Sequence, residues 1–335
     1  LRANVSNIVV AGLIILLIVA VGVWAFAPGL TGSFVFDDVV NLQPIGQFGG
    51  VRNLPTFLAF ITSGSYFPGR PLSLLSFLLD GQNWPLVPEV LKLTSLKFHL
   101  IAGLLVFWLT WLLSGYTLTG NPHSNTSRIW FSGFVALLWL LNPFQVSTVS
   151  YIIQRMTILS AIFVFAGLIG FVKGRLLLNH NARKGMILCS FSIAFFGVVS
   201  ILSKENGILI SAFALLLEGL VLSKEALHSE IEPLWRWWKR IFLWFPLLLL
   251  VLYILYKYHF FTIGYGGRTF TLSERILTEP RILFDYLGGI FFPSLNGMGL
   301  FSFNQPVSTG LFHPMTTISS ILGLFLIIYG AIKIR

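Results

Sequence analysis

The sequence predicts an all-α polytopic membrane protein of about eight transmembrane spans. Three observations predict it. Hydrophobic residues make up 56% of the 335-residue chain, and mean hydropathy is +0.84. Charged residues make up only 10%, against roughly a quarter in a soluble domain, which excludes both a wetted globular surface and a disordered chain. Apolar runs of spanning length recur from one end of the sequence to the other.

The elements follow in order. Residues 8–27 are too long an apolar run for a signal-peptide core and are followed by no small-residue cleavage site, so they form the first span. Further spans are expected at 98–114, 129–147, 156–173, 186–202, 207–223, 241–257 and 316–332. The stretch 276–293 carries Arg281 and Asp285 near its middle, which favours an interfacial or re-entrant helix. With the N-terminus inside, twelve Lys and Arg fall in the inner segments, against two, Arg155 and Lys204, in the short outer loops. Both ends are therefore expected in the cytoplasm. Two long segments, 28–97 and 258–315, are expected outside. Within the first, Leu54–Ile61 and Leu72–Leu79 are apolar enough to lie as short interfacial helices. The inner segment Glu225–Arg240 holds LWRWWKR, a Trp/Arg cluster suited to the headgroup layer. The net charge of +10 fits Lys and Arg beside anionic lipid better than nucleic acid. One cysteine, Cys189, leaves no disulfide framework and no thiolate metal site within the chain. The expected organisation is a single transmembrane domain over 1–335. The chain begins at Leu1 rather than Met, and its C-terminus lies just past an apolar run, so a fragment truncated at the C-terminus is expected.

In so apolar a chain the polar residues need a reason. Asp37 and Asp38 follow the first span. A carboxylate there suits a general base, and a pair can hold a divalent cation, Mg or Mn; the plainer reading is a solvated turn or helix N-cap. Arg70 suits a phosphate or carboxylate, or simply snorkels to the interface. Gln154 and Arg155 close the stretch that begins at Asn142-Pro143, and they sit at the outer boundary, where a lipid phosphate lies. Lys204 and Glu205 fall in a very short outer hairpin, as a surface ion pair or as a pair facing a polar cavity. Arg281 and Asp285 are four apart and can pair on one helix. His99 opens the second span, where a lone His is ordinarily packed or hydrogen-bonded. No HExxH, P-loop or GxGxxG is present.

Taken in order, an outer FDD, GRPL, a KLxxLxxH stretch, NPxQxxxVxYIxQRMxxL, SKEN and RxLTxPRxLxxYLxxxxFP span about Phe34 to Pro314. This series resembles the bacterial branch of the GT-C membrane glycosyltransferases, related to the tetratricopeptide-repeat O-mannosyltransferases. The resemblance implies a GT-C-like helix bundle with a cavity at its outer face. It implies transfer of a sugar from a polyprenyl-phosphate carrier to an acceptor hydroxyl of an exported protein or glycan, at the outer face of a bacterial inner membrane. Asp37 or Asp38 is implied as the base. Arg70, His99, Gln154, Arg155, Lys204, Glu205 and Arg281 are implied to line the donor site. Two positions depart from the pattern: Ser95 stands where Asn is usual, and Ser147 where a more polar or acidic residue is usual. A divalent cation at Asp37 and Asp38 is the only cofactor expected, and nucleic acid is not an expected partner. The alternatives are a transporter or flippase of lipid-linked sugars, and a non-catalytic membrane subunit of a larger complex.

Overall fold

A computed structural model describes residues 5–46, 49–62, 70–117, 124–265, 267–293 and 306–333. Gly69 of GRPL and part of the second long segment, 294–305, lie outside the described residues. The described chain is helical and contains no strand. It divides into two compact units, Leu1–Leu247 and Leu248–Arg335.

In the first unit, α1 (Val5–Phe26) is apolar all round, as a helix surrounded by lipid and other helices must be. The segment that follows, the first of the two expected outside, contains α2 (Asp38–Leu42), α3 (Leu54–Thr62) and α4 (Pro71–Phe77). The last two are the short helices expected from sequence. Next come α5 (Pro88–Thr117), α6 (Ser124–Leu140) and α7 (Gln145–Ser150). The tight turn Ile152–Gln154 leads into α8 (Arg155–Leu177). Then follow α9 (Ala182–Ser203), α10 (Ile210–Leu220) and α11 (Glu232–Lys239). The side chain of Asn181 caps α9 by accepting from the Lys184 amide. The chain passes into the second unit within α12 (Phe245–Gly264). That unit contains α13 (Leu272–Phe291), opened by a Thr271–Glu274 capping box, and α14 (Thr316–Lys333).

All eight expected spans fall on helices, and five of them reach spanning length with an apolar composition: Ser6–Gly29, Pro88–Gly115, Ile152–Leu177, Ala182–Ser203 and Glu232–Tyr258. The shortfall has local causes. The 129–147 run stops at Leu140 because Pro143 disfavours helix at Asn142 and cannot donate into it. The 207–223 run loses its start to a 3₁₀ turn over Glu205–Leu209, leaving an 11-residue helix. The last run is apolar over Thr316–Ala331 only.

Three apolar cores hold the first unit together. Ile18, Ala102, Ala136 and Leu140 join α1, α5 and α6. Leu168, Phe171, Cys189, Ile193 and Trp235 join α8, α9 and α11. Leu42, Phe60, Leu74, Phe77 and Ile152 hold the outer helices onto the turn before α8. The α8–α9 pair packs backbone to backbone. A Cβ on Gly174 would come within 3.0 Å of the Gly185 carbonyl, and one on Gly185 within 2.8 Å of the Gly174 carbonyl. Small residues permit this approach, which a larger side chain would prop open.

One charged group locks the outer helices to the bundle. Arg155, the first residue of α8, is 0% exposed. Its Nη1 pairs with Asp80 at 2.6 Å and donates to the Ser76 carbonyl at 3.0 Å. Its Nη2 donates to the Leu91 carbonyl at 2.6 Å, and its Nε to Ser95 Oγ at 3.1 Å. The guanidinium lies 4.6 Å from the Phe77 ring centroid. Thr94 Oγ1 donates to the other oxygen of Asp80. Arg155→Met should therefore strand the Asp80 carboxylate and cost about 3–5 kcal/mol, whereas Arg155→Met with Asp80→Leu should recover most of that loss. Unfolding by detergent titration of the two variants measures both, and equal losses would refute the pairing.

Candidate functional site

The adjacent aspartates of the first outer segment have different surroundings. Asp37 is the N-cap residue of α2 and Asp38 its first residue. Successive residues on a helix point about 100° apart, so one carboxylate is buried while its neighbour emerges. Asp38 is 0% exposed. Its Oδ2 accepts from the Val35 amide at 3.0 Å and its Oδ1 from the Ile153 amide at 2.9 Å. It thus ties the first outer segment to the turn before α8. Burial pushes the Asp38 carboxyl above its usual range, opposed by the backbone donors at Val35, Ile153 and Ile152 and by the charge of Lys92. Lys92 itself donates to the Gly32 carbonyl at 2.7 Å.

Asp37 is exposed and lines a cavity of about 450 Å³ with Asn41, Arg70, Tyr151, Gln154 and Met156. The chain enters this corner through Phe36, at φ 50. A left-handed conformation is costly for a bulky residue, on the order of 1 kcal/mol or more. Its ring meets Tyr151 edge-on at 5.4 Å. The Tyr151 hydroxyl sits against Asp37, and burial, with the charges of Asp37 and Asp38 adding, raises its pKa.

The opposite wall comes from α4 and the end of α9. Ser73 Oγ donates to the Ser203 carbonyl at 2.7 Å, which fixes α4 at the end of α9. Arg70 can then grip Glu205 bidentately, Nε to Oε1 at 2.9 Å and Nη2 to Oε2 at 2.8 Å. Burial raises the Glu205 carboxyl, but the Arg70 hydrogen bonds, its own backbone amide and the charges of Arg70 and Lys204 outweigh it, so the net shift is downward. Lys204 Nζ donates to Thr157 Oγ1 at 2.7 Å and reaches Gln154 Oε1 at 3.4 Å. Thr157 in turn donates to Gln154 Oε1 at 2.8 Å. Burial, with Arg70 nearby, pulls the Lys204 ammonium below the usual lysine range, and Glu205 opposes this.

A second cavity of about 320 Å³ lies among the helices, lined by His99, Trp139, Val164, Phe165 and Phe213, with Thr157 and Lys204 also on its wall. Gln154 lines the first cavity, Thr157 and Lys204 line the second, and the three side chains are bonded to one another. The two cavities therefore share a polar partition. His99 is buried, with Nε2 3.0 Å from the Leu140 carbonyl and its ring stacked on Trp139 at 5.1 Å. Facing an acceptor, Nε2 carries the proton.

Of the residues expected from sequence, the fold brings together Asp37, Arg70, Gln154, Lys204 and Glu205, with His99 in the adjoining cavity. Asp38 and Arg155 are buried supports, and neither lines either of these two cavities. Arg281 belongs to the second unit, where its Nη1 donates to the Pro306 carbonyl at 2.7 Å and to Ser308 Oγ at 3.2 Å. Both Asp38 oxygens are occupied by main-chain donors, and no group of three metal-ligating side chains occurs among the described residues. One free carboxylate is a poor donor set for the expected divalent cation. Three residues were not singled out from sequence. Thr157 and Tyr151 sit inside a stretch whose ionic members drew the attention. Asp80 is a lone carboxylate in an apolar loop, and that isolation was the available signal.

No protein-family model matches the chain, and no solved structure does. It is similar to the human protein O-mannosyl-transferase TMTC4 (Homo sapiens), with 27% identity over 222 residues. The match covers 62% of this chain and 29% of that protein, so the chain spans under a third of that relative's length.

The Arg70–Glu205 pair has a signature in pH. The Glu205 carboxyl is held below its usual value, so its contribution to stability is present above that value and is lost as pH falls through the lowered one. The Glu205 side chain is 60% exposed, which limits the effect to under about 1 kcal/mol. Melting temperatures of wild type and Glu205→Gln should converge as the pH is taken from neutral to below the usual glutamate range; a constant gap throughout that titration would contradict the assignment.

Proposed function

We propose that the protein is a membrane glycosyltransferase of GT-C type that moves a hexosyl or pentosyl group from a polyprenyl-phosphate carrier to an acceptor hydroxyl, with Asp37 as the base. The observation that carries this reading is the pair of adjoining cavities. One is polar and holds the exposed Asp37 carboxylate; the other is apolar and lies among membrane helices; a lysine stands on the wall between them. A lipid-linked sugar has the same three parts in the same order: apolar tail, phosphate and sugar. The similarity to a protein O-mannosyl-transferase supports the reaction class and favours a Ser or Thr hydroxyl of an exported protein as acceptor.

In this reading the tail enters the cavity beside Trp139, Val164 and Phe165. Lys204 meets the phosphate, steadied by Thr157 and Gln154, and the Arg70–Glu205 pair closes the rim. The sugar lies in the polar cavity. Asp37 takes the proton from the acceptor hydroxyl. The oxygen attacks the anomeric carbon from the face away from the phosphate, so the configuration inverts. The bond between the anomeric carbon and the phosphate oxygen breaks, and its electron pair leaves with the phosphate. Cations preorganised at that oxygen stabilise the departing charge in a site screened from water. The cavity end of the bundle faces the exterior of a bacterial inner membrane.

Separate Asp37→Asn and Asp38→Asn variants test the assignment. Asp37→Asn should lower sugar transfer by about 10²–10⁴-fold while leaving the level of folded protein unchanged. Asp38→Asn turns an amide NH₂ toward a main-chain donor and should cost about 1–3 kcal/mol of stability. Full transfer by Asp37→Asn membranes would overturn the choice of base. Carriage of the lipid-linked sugar across vesicles without transfer would favour the transporter.

A further inference from the structure

The candidate site occupies one end of α8, and a second polar layer occupies the other. From Arg155 to Arg175 the helix rises about 30 Å at 1.5 Å per residue, the thickness of a bilayer's hydrocarbon core. At the far end Arg175 Nε meets Glu218 Oε2 at 3.0 Å, and its Nη2 donates to the Leu222 and Glu225 carbonyls at 3.2 and 2.9 Å. Trp235 Nε1 donates to the same Glu218 at 2.7 Å, and Lys239 lies 3.8 Å from it.

This layer fixes the orientation of α11. Trp235 and Trp238 are buried and stack at 4.6 Å, and Trp238 Nε1 donates to Ser190 Oγ at 2.8 Å. With those two rings spent inward, the third tryptophan faces out. Trp237 is 61% exposed, and Leu234, Ile241 and Trp244 are exposed at three- and four-residue spacing on either side of it. Arg236 and Arg240 are also exposed, one helical turn apart. The Arg240 guanidinium lies 4.7 Å from the Trp237 ring centroid and pairs with no carboxylate among the described residues. Arg236 has only a loose pair, 3.9 Å from Glu232. A π-turn over Arg240–Trp244 follows directly.

We propose that this face of α11 holds the headgroup of an anionic phospholipid in the leaflet opposite the candidate site. Arg236 and Arg240 bracket the lipid phosphate, whose charge no headgroup cation offsets, while Trp237 and Leu234 enter the boundary between headgroups and acyl chains. Charge complementarity selects an anionic lipid over a zwitterionic one. The inward Trp pair fixes the helix face that carries both arginines, so no backbone rearrangement is needed on binding.

The full-length protein, purified in detergent, can be titrated with phosphatidylglycerol or phosphatidylcholine while bound lipid is counted by native mass spectrometry. Wild type should retain phosphatidylglycerol preferentially. Arg236→Gln with Arg240→Gln should weaken that retention by about 30-fold, since each basic residue near the surface is worth about fivefold. Arg236→Lys with Arg240→Lys should restore most of it. The buried face of α11 is unchanged in all of these variants. Equal retention of the two lipids by wild type, an unchanged preference in the glutamine pair, or failure of the lysine pair to restore it would each overturn the proposal.

Discussion

The guanidinium of Arg155 governs the first unit. Taking a charge fully out of water costs several kcal/mol unless it is paired and its donors are satisfied. The fold meets that demand with four acceptors drawn from α4, the Asp80 loop and α5. Moving any one of these elements breaks a charged contact, so the outer segment has one allowed register on the bundle. The turn immediately before Arg155 then inherits that register. Its Ile153 amide donates to the Asp38 carboxylate, and its Gln154 side chain accepts from Thr157 and Lys204. A structural charge and a candidate binding group are thus adjacent in the chain, and the first positions the second.

The aspartate doublet is resolved in the same way. Two adjacent carboxylates repel, and a buried one is opposed by desolvation. Here the buried carboxylate is compensated by two main-chain amides and a nearby lysine, at the boundary where α2 meets the turn. The exposed carboxylate is left with room around it. This division of labour between neighbours needs the helix to begin at residue 38, and the left-handed conformation of Phe36 is part of how the chain turns into that start.

Much of this was legible in the sequence, for physical reasons that differ by element. The runs that became α1, α5, α8 and α9 were readable because a spanning helix must be apolar along its length. The break at Asn142-Pro143 was readable as a break, yet its effect on the span count depended on where helix resumed, and α7 is a separate short helix. The polar residues stood out individually against an apolar background. Their pairings did not. Arg70 meets Glu205 across 135 residues and Arg155 meets Ser95 across 60, and no local pattern encodes such contacts. Gln154 and Arg155 looked equivalent as neighbours at a boundary, but the start of α8 sends one to a cavity and the other to the interior. Ser95, a departure from the expected Asn, is the residue whose hydroxyl accepts from Arg155 Nε. Arg281 belongs to a separate compact unit, a division that motif order along the chain does not reveal.

Depth in the membrane follows from the distribution of charge along α8. Its middle carries no ionisable residue between Arg155 and Lys173. One end adjoins Lys204, Arg70 and Glu205, and the other adjoins Arg175, Glu218 and Lys239. Displacing such a column along the bilayer normal by one helical turn, about 5.4 Å, draws one polar layer into hydrocarbon, at roughly 2.5–3.5 kcal/mol or more per charge. The penalty rises in both directions, so the column has a single favoured depth. Under the proposed reading, Lys204 and Gln154 sit at the level of lipid phosphates at that depth, between the apolar cavity and the cavity that Asp37 lines. A substrate with its tail in the bilayer and its sugar outside would cross that partition at its phosphate.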